Sequence, residues 1–271
     1  MIVHGFPRAR LDDELDLADW IGAETLEILP LWRNLPDPAA LRDRVADRGL
    51  TIHSAHGCWG GESIRAARVD LGSLEPSTHR DSVDDLKRCV DWAATAGVRA
   101  LVVHPGGLSD PTTREARREA LARGLSALAE HAAGTEVLLC VENMPPGVFP
   151  GSRMEELAEL LGELGSPRLR LAIDTGHANI TADAAAETLA AGDLLATTHV
   201  HDNNGRSDSH HPPGLGTIDW PSWFAALDAI GYQGPIMLEC VKRVREDRAS
   251  YQREVLAPFI RRRDGSTGGL G

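Results

Sequence analysis

Residues 100–107 read Ala-Leu-Val-Val-His-Pro-Gly-Gly. This apolar run ends in one histidine, and the Pro-Gly-Gly that follows predicts a loop before the next regular element. The same order of strand, loop and helix recurs along the chain, because β-branched runs alternate with longer segments of helical periodicity. Eight strands are predicted, at 2–4, 25–29, 50–56, 100–104, 137–142, 169–174, 197–201 and 235–239.

The segments between these strands have one apolar and one charged face, as Leu121, Leu125 and Leu128 illustrate, and are predicted to be helices. Asp219, followed by Trp220 and Pro221, is predicted to cap a helix. Eight β/α units in 271 residues favour one α/β domain, a (β/α)8 barrel, over a doubly wound open sheet. We expect the barrel to occupy residues 1–263 and the glycine-rich residues 264–271 to form a flexible tail.

The charge balance disfavours two classes of partner. The chain has 28 Lys and Arg against 40 Asp and Glu, a net charge of −12, which repels nucleic-acid phosphates and anionic membranes. No run approaches the ~20 apolar residues of a membrane span. The four cysteines lie far apart in the sequence, so we interpret them as reduced thiols of a cytoplasmic protein. They are Cys58, Cys89, Cys140 and Cys240.

Imidazoles and carboxylates follow one predicted strand after another. Barrel enzymes place their chemistry at the carboxyl ends of the strands, and period-two alternation brings such residues to one face. His201 shares a face with His199 and is a weaker competitor or a supporting residue. The nine residues expected at this mouth are His56, His104, Glu142, Asp174, His177, His199, Asp208, His210 and Glu239.

Nine such groups at one mouth would repel each other and lose solvation unless a cation neutralised them. The sequence therefore predicts a divalent metal site. Nitrogen and oxygen ligands without paired thiolates suit Zn, Mn, Co or Fe better than a cysteine-rich structural zinc site.

Seven segments in this order resemble the xylose-isomerase-like barrel superfamily, which contains sugar and sugar-phosphate isomerases and epimerases as well as endonuclease IV. The resemblance covers nearly the whole chain. The segments are HSAH at 53–56, VHPGG at 103–107, VENMP at 141–145, IDTGH at 173–177, HVHD at 199–202, DSH at 208–210 and MLE at 237–239.

The epimerase branch implies one divalent metal held by Glu142, Asp174, His199 and Glu239, with His177 close to the substrate. The metal would bind the carbonyl oxygen and neighbouring hydroxyl of a ketose and so favour an enediolate. Glu142, Glu239 and His177 are the expected catalytic residues. Two glutamates acting from opposite faces would epimerise a centre, whereas one base moving a proton between adjacent carbons would isomerise an aldose and a ketose.

The chain also matches the fuller ligand set of endonuclease IV, which implies as many as three metal ions held by all nine residues. A second hypothesis is therefore a multinuclear hydrolase or lyase acting on a small phosphate ester. A third is a metal-dependent binding protein without catalysis. One metal equivalent per chain would favour the epimerase, and two or three would favour the hydrolase.

The predicted mouth loops favour a small carbohydrate, or its phosphate, over DNA, because segments 57–61, 105–108 and 143–151 contain no Lys or Arg. Aromatic residues in the loops could pack on the apolar side of a sugar, and nearby cations could hold a phosphate or carboxylate. A homodimer is plausible from the family. The candidate substrate-binding residues are Trp32, Trp59, Phe149, Arg206 and Lys242.

Overall fold

A computed structural model describes residues 2–4, 11–30, 32, 37–59 and 69–240. Seven parallel strands form one sheet in which spatial order follows chain order. This arrangement, with a helical segment between successive strands, is that of a (β/α)8 barrel. The strands are β1 Ile2–His4, β2 Thr25–Leu29, β3 Thr51–His56, β4 Ala100–Val103, β5 Leu138–Glu142, β6 Leu169–Asp174 and β7 Leu195–His199.

Eight α-helices connect or flank the strands within the described residues. The last of them begins as the sequence predicts, since Asp219 accepts a hydrogen bond from the backbone N–H of Ser222. Two short 3₁₀ turns lie at Pro111–Thr113 and Gly192–Leu194. The helices are α1 Leu11–Ile21, α2 Pro38–Ala46, α3 Pro76–Ala96, α4 Arg114–Ala132, α5 Met154–Leu164, α6 Thr175–Thr181, α7 Ala184–Ala191 and α8 Trp220–Ala229.

The predicted eighth strand, 235–239, is not a regular strand. The backbone around Leu238 forms a single parallel bridge with Val200, just past the end of β7. The hydroxyl of Thr198 interrupts the ladder, because it accepts from the N–H of Met237 and donates to the carbonyl of Pro235. The segment still occupies the position of an eighth strand beside β7. The predicted barrel is therefore correct, and the predicted regularity of this strand is not.

Side chains on the strands separate into two sets. Leu101 and Val103 of β4 belong to the large core between the sheet and the helices, whereas Val102 packs inside with Cys140 and Ala172. This alternation follows from the pleat of a strand. It places the inward-facing residue at each strand end at one mouth of the barrel.

In the part of the chain that the structure describes, no helix combines the length and the apolar character needed to cross a bilayer. Residues 264–271, predicted to be a tail, lie outside the described residues, as do residues 241–263 at the end of the predicted barrel domain.

Candidate metal centre

The predicted polar residues meet around a cavity of about 410 Å³ at the carboxyl ends of the strands. Three groups of metal-ligand type overlap there, because Glu142 belongs to two of them and Glu239 to two. The cavity is lined by Leu29, His56, Trp59, His104, Glu142, Met144, Pro145, Asp174, His177, Asp208, His210 and Glu239.

The central group consists of Glu142, Asp174, His199 and Glu239, whose candidate ligand atoms lie within 4.8 Å of one another. Nδ1 of His199 lies 3.1 Å from a carboxylate oxygen of Glu142 and 3.4 Å from one of Glu239. Three oxygen ligands and one nitrogen ligand at this spacing suit a divalent cation. The opposite ring nitrogen of His199 lies 2.8 Å from a carboxylate oxygen of Glu27.

A second group contains His56, His104 and the other oxygen of Glu142. Oε2 of Glu142 lies 3.2 Å from Nε2 of His104 and 3.5 Å from Nε2 of His56. Among the described residues, this buried oxygen has no hydrogen bond of good geometry. A buried carboxylate oxygen without a proper donor is costly, and a cation near the two imidazoles would compensate for it.

The outer group consists of Asp208 and His210, which lie on the loop after β7. Asp208 contacts His177 at 3.3 Å and His210 at 3.2 Å through the same carboxylate oxygen. His210 has a positive φ of 46°, which is uncommon for a residue other than glycine, and its ring stacks on His201 with centroids 4.0 Å apart. His201, His210 and Glu239 also have atoms at metal-ligand spacing.

Asp174 and Asn143 hold the central group in place. Oδ1 of Asp174 accepts the backbone N–H of His177, which caps α6, and its other oxygen lies 3.1 Å from Nε2 of His201. The side chain of Asn143 bonds both the N–H and the carbonyl of Asp174, which ties the ends of β5 and β6 together. Nδ1 of His177 lies 2.8 Å from the carbonyl of Asn143. That nitrogen therefore donates, and Nε2 is directed to Asp208.

A glycine allows the two histidine-bearing segments to approach. A Cβ atom at Gly176 would lie 1.9 Å from Cε1 of His201, which no real structure tolerates. The TGH sequence at 175–177 is therefore a steric requirement of this site as well as a helix start.

Burial opposes charge throughout the cluster, yet the carboxylates keep several imidazoles protonated in the metal-free protein. Burial lowers the pKa of His177, but Asp174, Asp208 and Glu142 together raise it to about 10. For His210, burial again lowers the pKa, while Asp208 and Glu239 raise it to about 9.

The two glutamates of the central group differ in their acidity. Burial raises the pKa of Glu142, but His199, His104 and His56 outweigh it and hold that pKa well below the usual range. Burial raises the pKa of Glu239, and the His199 charge does not fully offset it. For Asp174, burial is outweighed by His177 and His201, and the pKa falls to about 2.

Residues 15–262 match the family described as the xylose isomerase-like TIM barrel. The chain belongs to this family. The L-ribulose 3-epimerase of Methylomonas sp. (strain DH-1) is 31% identical over 215 residues, which cover 75% of this chain and 68% of that protein. A probable endonuclease 4 of Solibacter usitatus (strain Ellin6076) is 28% identical over 236 residues, or 78% of this chain and 76% of that protein.

Among solved structures, the 3-keto-D-glucoside 4-epimerase from E. coli matches with a TM-score of 0.78. The match covers 96% of this chain and 97% of the other at 20% identity, and it shows a shared fold. The resemblance and the barrel predicted from the sequence are thereby confirmed. The similarity to the L-ribulose 3-epimerase also confirms the prediction that the chain is an enzyme of the isomerase and epimerase class.

Of the candidate substrate-binding residues, Trp59 lines the cavity, where its ring contacts His56 edge to face. Trp32 is buried beside Trp92, and its indole N–H donates to the carbonyl of His56. It therefore supports the wall without lining the cavity. An aromatic residue after a strand can point into the core as readily as into the mouth, and the sequence does not distinguish the two.

Two other candidates also lie outside the cavity lining. The ring of Phe149 contacts the guanidinium of Arg114 at 4.8 Å, and its backbone carbonyl accepts from Arg117. Arg206 is exposed, on a turn closed by the side chain of Asn204. Lys242 lies outside the described residues.

The sequence analysis missed Glu27, and it named His201 only as a weaker competitor or a supporting residue. Glu27 is fully buried inside the barrel next to His199. The sequence does carry a signal for Glu27, because it is the one charged residue of the strand TLEIL at 25–29 and lies between a leucine and an isoleucine. His201 is fully buried against Asp174, so it is part of the centre in this xylose isomerase-like barrel.

Proposed function

We propose that the protein is a divalent-metal-dependent sugar isomerase or epimerase that moves a proton at a carbon beside a carbonyl. One observation carries this proposal: Glu142 and Glu239, from β5 and from the segment beside β7, present carboxylates to one cavity next to the same nitrogen of His199. Sugar epimerases among the relatives and fold neighbours support the same reaction class.

The residues present fit a bound cation. It would be held by the central group, Glu142, Asp174, His199 and Glu239, whose four candidate ligand atoms lie within 4.8 Å of one another. Glu142 in addition has a buried oxygen, Oε2, with no hydrogen-bond partner among the described residues. When bound, a divalent cation supplies Lewis-acid stabilisation of negative charge on the substrate oxygens. The ligand types are compatible with Zn, Mn, Co or Fe.

Glu142 and Glu239 would transfer the proton. They reach the cavity from different strands of the barrel, so a substrate between them would expose opposite faces of one carbon to two carboxylates. Removal by one and return by the other inverts that centre, and this is epimerisation. His177, which lines the same cavity, would orient a substrate hydroxyl.

The cavity suits a small polyhydroxylated compound. Leu29, Trp59, Met144 and Pro145 form an apolar part of the lining, opposite the imidazoles and carboxylates, which matches a sugar with one C–H face and one hydroxyl face. The lining residues of the described chain include no lysine or arginine.

The proposal is tested by proton exchange. The protein is stripped with chelator, dialysed, reloaded with Mn²⁺, Co²⁺ or Zn²⁺, and incubated in D₂O with ketopentoses and ketohexoses. We expect deuterium at the carbon beside the carbonyl, together with the epimer, and about one tightly bound metal per chain. Metal-independent exchange, or none with any ketose under any metal, would contradict the proposal.

The overlapping ligand groups favour one alternative, a multinuclear hydrolase or lyase. His56 and His104 flank one oxygen of Glu142, and His210 contacts Asp208, so further cations could bind on either side of the central group. The match to a probable endonuclease 4 agrees with this arrangement. Two or three metal equivalents in the reloaded protein, lost in His104→Ala and His210→Ala variants, together with phosphate-ester cleavage, would favour this function.

A further inference from the structure

Glu27 is a carboxylate in a place where strands normally carry apolar residues. It occupies the middle of β2, is fully buried, and is flanked by Leu26 and Ile28, which belong to the core outside the sheet. Burying a carboxylate is costly unless it is paired and hydrogen-bonded. Its partners therefore indicate why it is there.

Two side chains from distant parts of the chain hold Glu27. Oε2 accepts from the hydroxyl of Ser54, and Oε1 lies 2.8 Å from Nε2 of His199. The register of β2 against β3 shifts at this point, so that Glu27 pairs with Ser54 and His53 is left over. Such bulges redirect side chains and are frequent beside active sites.

The contact with Glu27 determines which nitrogen of His199 is free. A carboxylate can only accept, so Nε2 of His199 carries a proton. Nδ1 also faces a carboxylate oxygen, 3.1 Å away on Glu142, so it offers a lone pair only when a cation takes the place of the proton between them, while Nε2 keeps its proton for Glu27. Nδ1 is the nitrogen that faces Glu142 and Glu239 in the central group.

We propose that Glu27 is a positioning residue that holds His199 as the Nε2–H tautomer and presents its Nδ1 to the cation. This inference rests on the metal dependence in the proposed function and adds a residue that acts through a ligand without touching the cavity. A carboxylate on the far nitrogen of an imidazole fixes the orientation of the ring and increases its basicity as a ligand. Glu27 also adds one negative charge behind the site.

The alternative is that Glu27 stabilises only the barrel interior through a buried ion pair. The two roles predict different measurements. A structural role changes the stability of the metal-free protein and leaves the affinity of the folded protein for metal unchanged. A positioning role changes the affinity, and saturating metal restores turnover.

The test compares metal affinity in Glu27→Gln and wild-type protein. Glutamine keeps the shape and can accept from His199 and donate to Ser54, so the main loss is the charge. Affinities for Mn²⁺ and Zn²⁺ are measured by competition with a chromophoric chelator. We expect Glu27→Gln to weaken binding about 10- to 100-fold, with turnover close to wild type at saturating metal.

A matched control is Glu187→Gln. Glu187 is equally buried, but it lies on α7 and accepts from the N–H of Met154 and from Arg153, on the outer side of the barrel. We expect this variant to lose stability and to keep the wild-type metal affinity. Equal affinity in wild type and a folded Glu27→Gln variant would overturn the positioning role while leaving the proposed function intact. Failure of the wild-type protein to bind metal would instead refute the metal dependence itself.

A second measurement needs no variant. Long-range ¹H–¹⁵N correlation spectra of the Zn²⁺-loaded protein report the tautomer of each histidine, and His199→Gln assigns the relevant signal. We expect a proton on Nε2 and none on Nδ1 of His199. A proton on Nδ1 in the loaded protein would overturn the inference even if Glu27→Gln did not fold.

Discussion

The central group and the outer group differ in how they are built. Glu142, Asp174 and His199 lie at strand ends, and their side chains are at most 2% exposed. Asp208 and His210 lie on the loop after β7, and their side chains are 33% and 39% exposed. The central group is preorganised by the sheet, whereas the outer group depends on a loop. We infer that the first determines the chemistry and the second adjusts it.

The largest expected difference between the two groups concerns turnover. Glu142→Gln removes one of the two carboxylates proposed to transfer the proton and should lower kcat by about 10²- to 10⁴-fold. Asp208→Asn removes a carboxylate that, among the described residues, contacts His177, His201 and His210, and should lower kcat by a smaller factor. The measurement is the rate of deuterium incorporation into the ketose at saturating metal.

Circular dichroism of both variants controls for folding. Glu239→Gln should behave as Glu142→Gln does, because both carboxylates are assigned to the same proton transfer. If Asp208→Asn lost as much activity as Glu142→Gln, the outer group would be part of the chemistry, and the distinction between the groups would fail.

The next difference concerns stability. Asp174 caps α6, accepts from His201 and is bonded through its backbone to Asn143. Asp174→Ala removes the nearest carboxylate of the buried His201, which keeps a longer contact of 3.6 Å with Asp208, and should cost about 3–5 kcal/mol of unfolding free energy, as for a broken buried pair. Asp208→Ala should cost less, about 1–3 kcal/mol, because its carboxylate is partly exposed but contacts the buried His177.

Urea unfolding of the metal-free variants at neutral pH measures both values. Metal must be absent, since bound metal stabilises the native state by mass action and would mix affinity with stability. Equal losses for the two variants would show that the loop holds the outer group as firmly as the strands hold the central one.

The sequence predicts the strand-borne half of this site much better than the loop-borne half. Strands β1, β2 and β6 begin and end where their apolar runs do, and a polar residue after such a run falls at the mouth by topology alone. The partner of Glu27 is 172 residues away, so no local pattern shows it. Trp32 and Phe149 lie on loops, where side-chain direction follows from tertiary packing that no periodicity records.

A side-chain hydroxyl on the neighbouring strand explains why the predicted eighth strand is not regular. Residues 235–239 have the composition of a strand, yet the hydroxyl of Thr198 takes the hydrogen bonds of Pro235 and Met237. The β-propensity of residues 235–239 predicts an extended backbone, but it does not predict that a side chain on the neighbouring strand takes the backbone hydrogen bonds that would form a regular ladder. Glu239 still reaches the cavity, because the bridge at Leu238 preserves its position.

The pH dependence of stability provides a third comparison. The folded-state pKa of His177 is about 10 and that of His210 about 9, both above the ordinary value of 6.5. A raised pKa contributes stability that is fully present below pH 6.5 and is lost as the pH rises through the folded value. The metal-free protein should therefore lose stability between about pH 7 and 10, and His177→Asn should reduce that slope more than His210→Asn, because the pKa of His177 is raised further above its ordinary value.

Chemical unfolding from pH 5.5 to 10 in the presence of chelator measures this slope. A cation held by the central group would place positive charge beside both imidazoles and lower their pKa values, so the loaded protein should show a flatter profile. A metal-free protein whose stability rose over this interval would contradict the assigned charges.

The smallest expected effect is on KM for the sugar, and it should differ between variants of two tryptophans near the cavity. Trp59 lines the cavity, and Trp32 packs behind it with its indole N–H on His56. Trp59→Ala removes an aromatic surface worth about 0.5–1.5 kcal/mol to a stacked partner, so KM for the sugar should rise about 2- to 13-fold. Trp32→Phe retains a ring in the core and should change unfolding free energy but not KM. If KM rose in Trp32→Phe and not in Trp59→Ala, the sugar would not contact this wall, and the loop-borne part of the cavity would have no role in recognition.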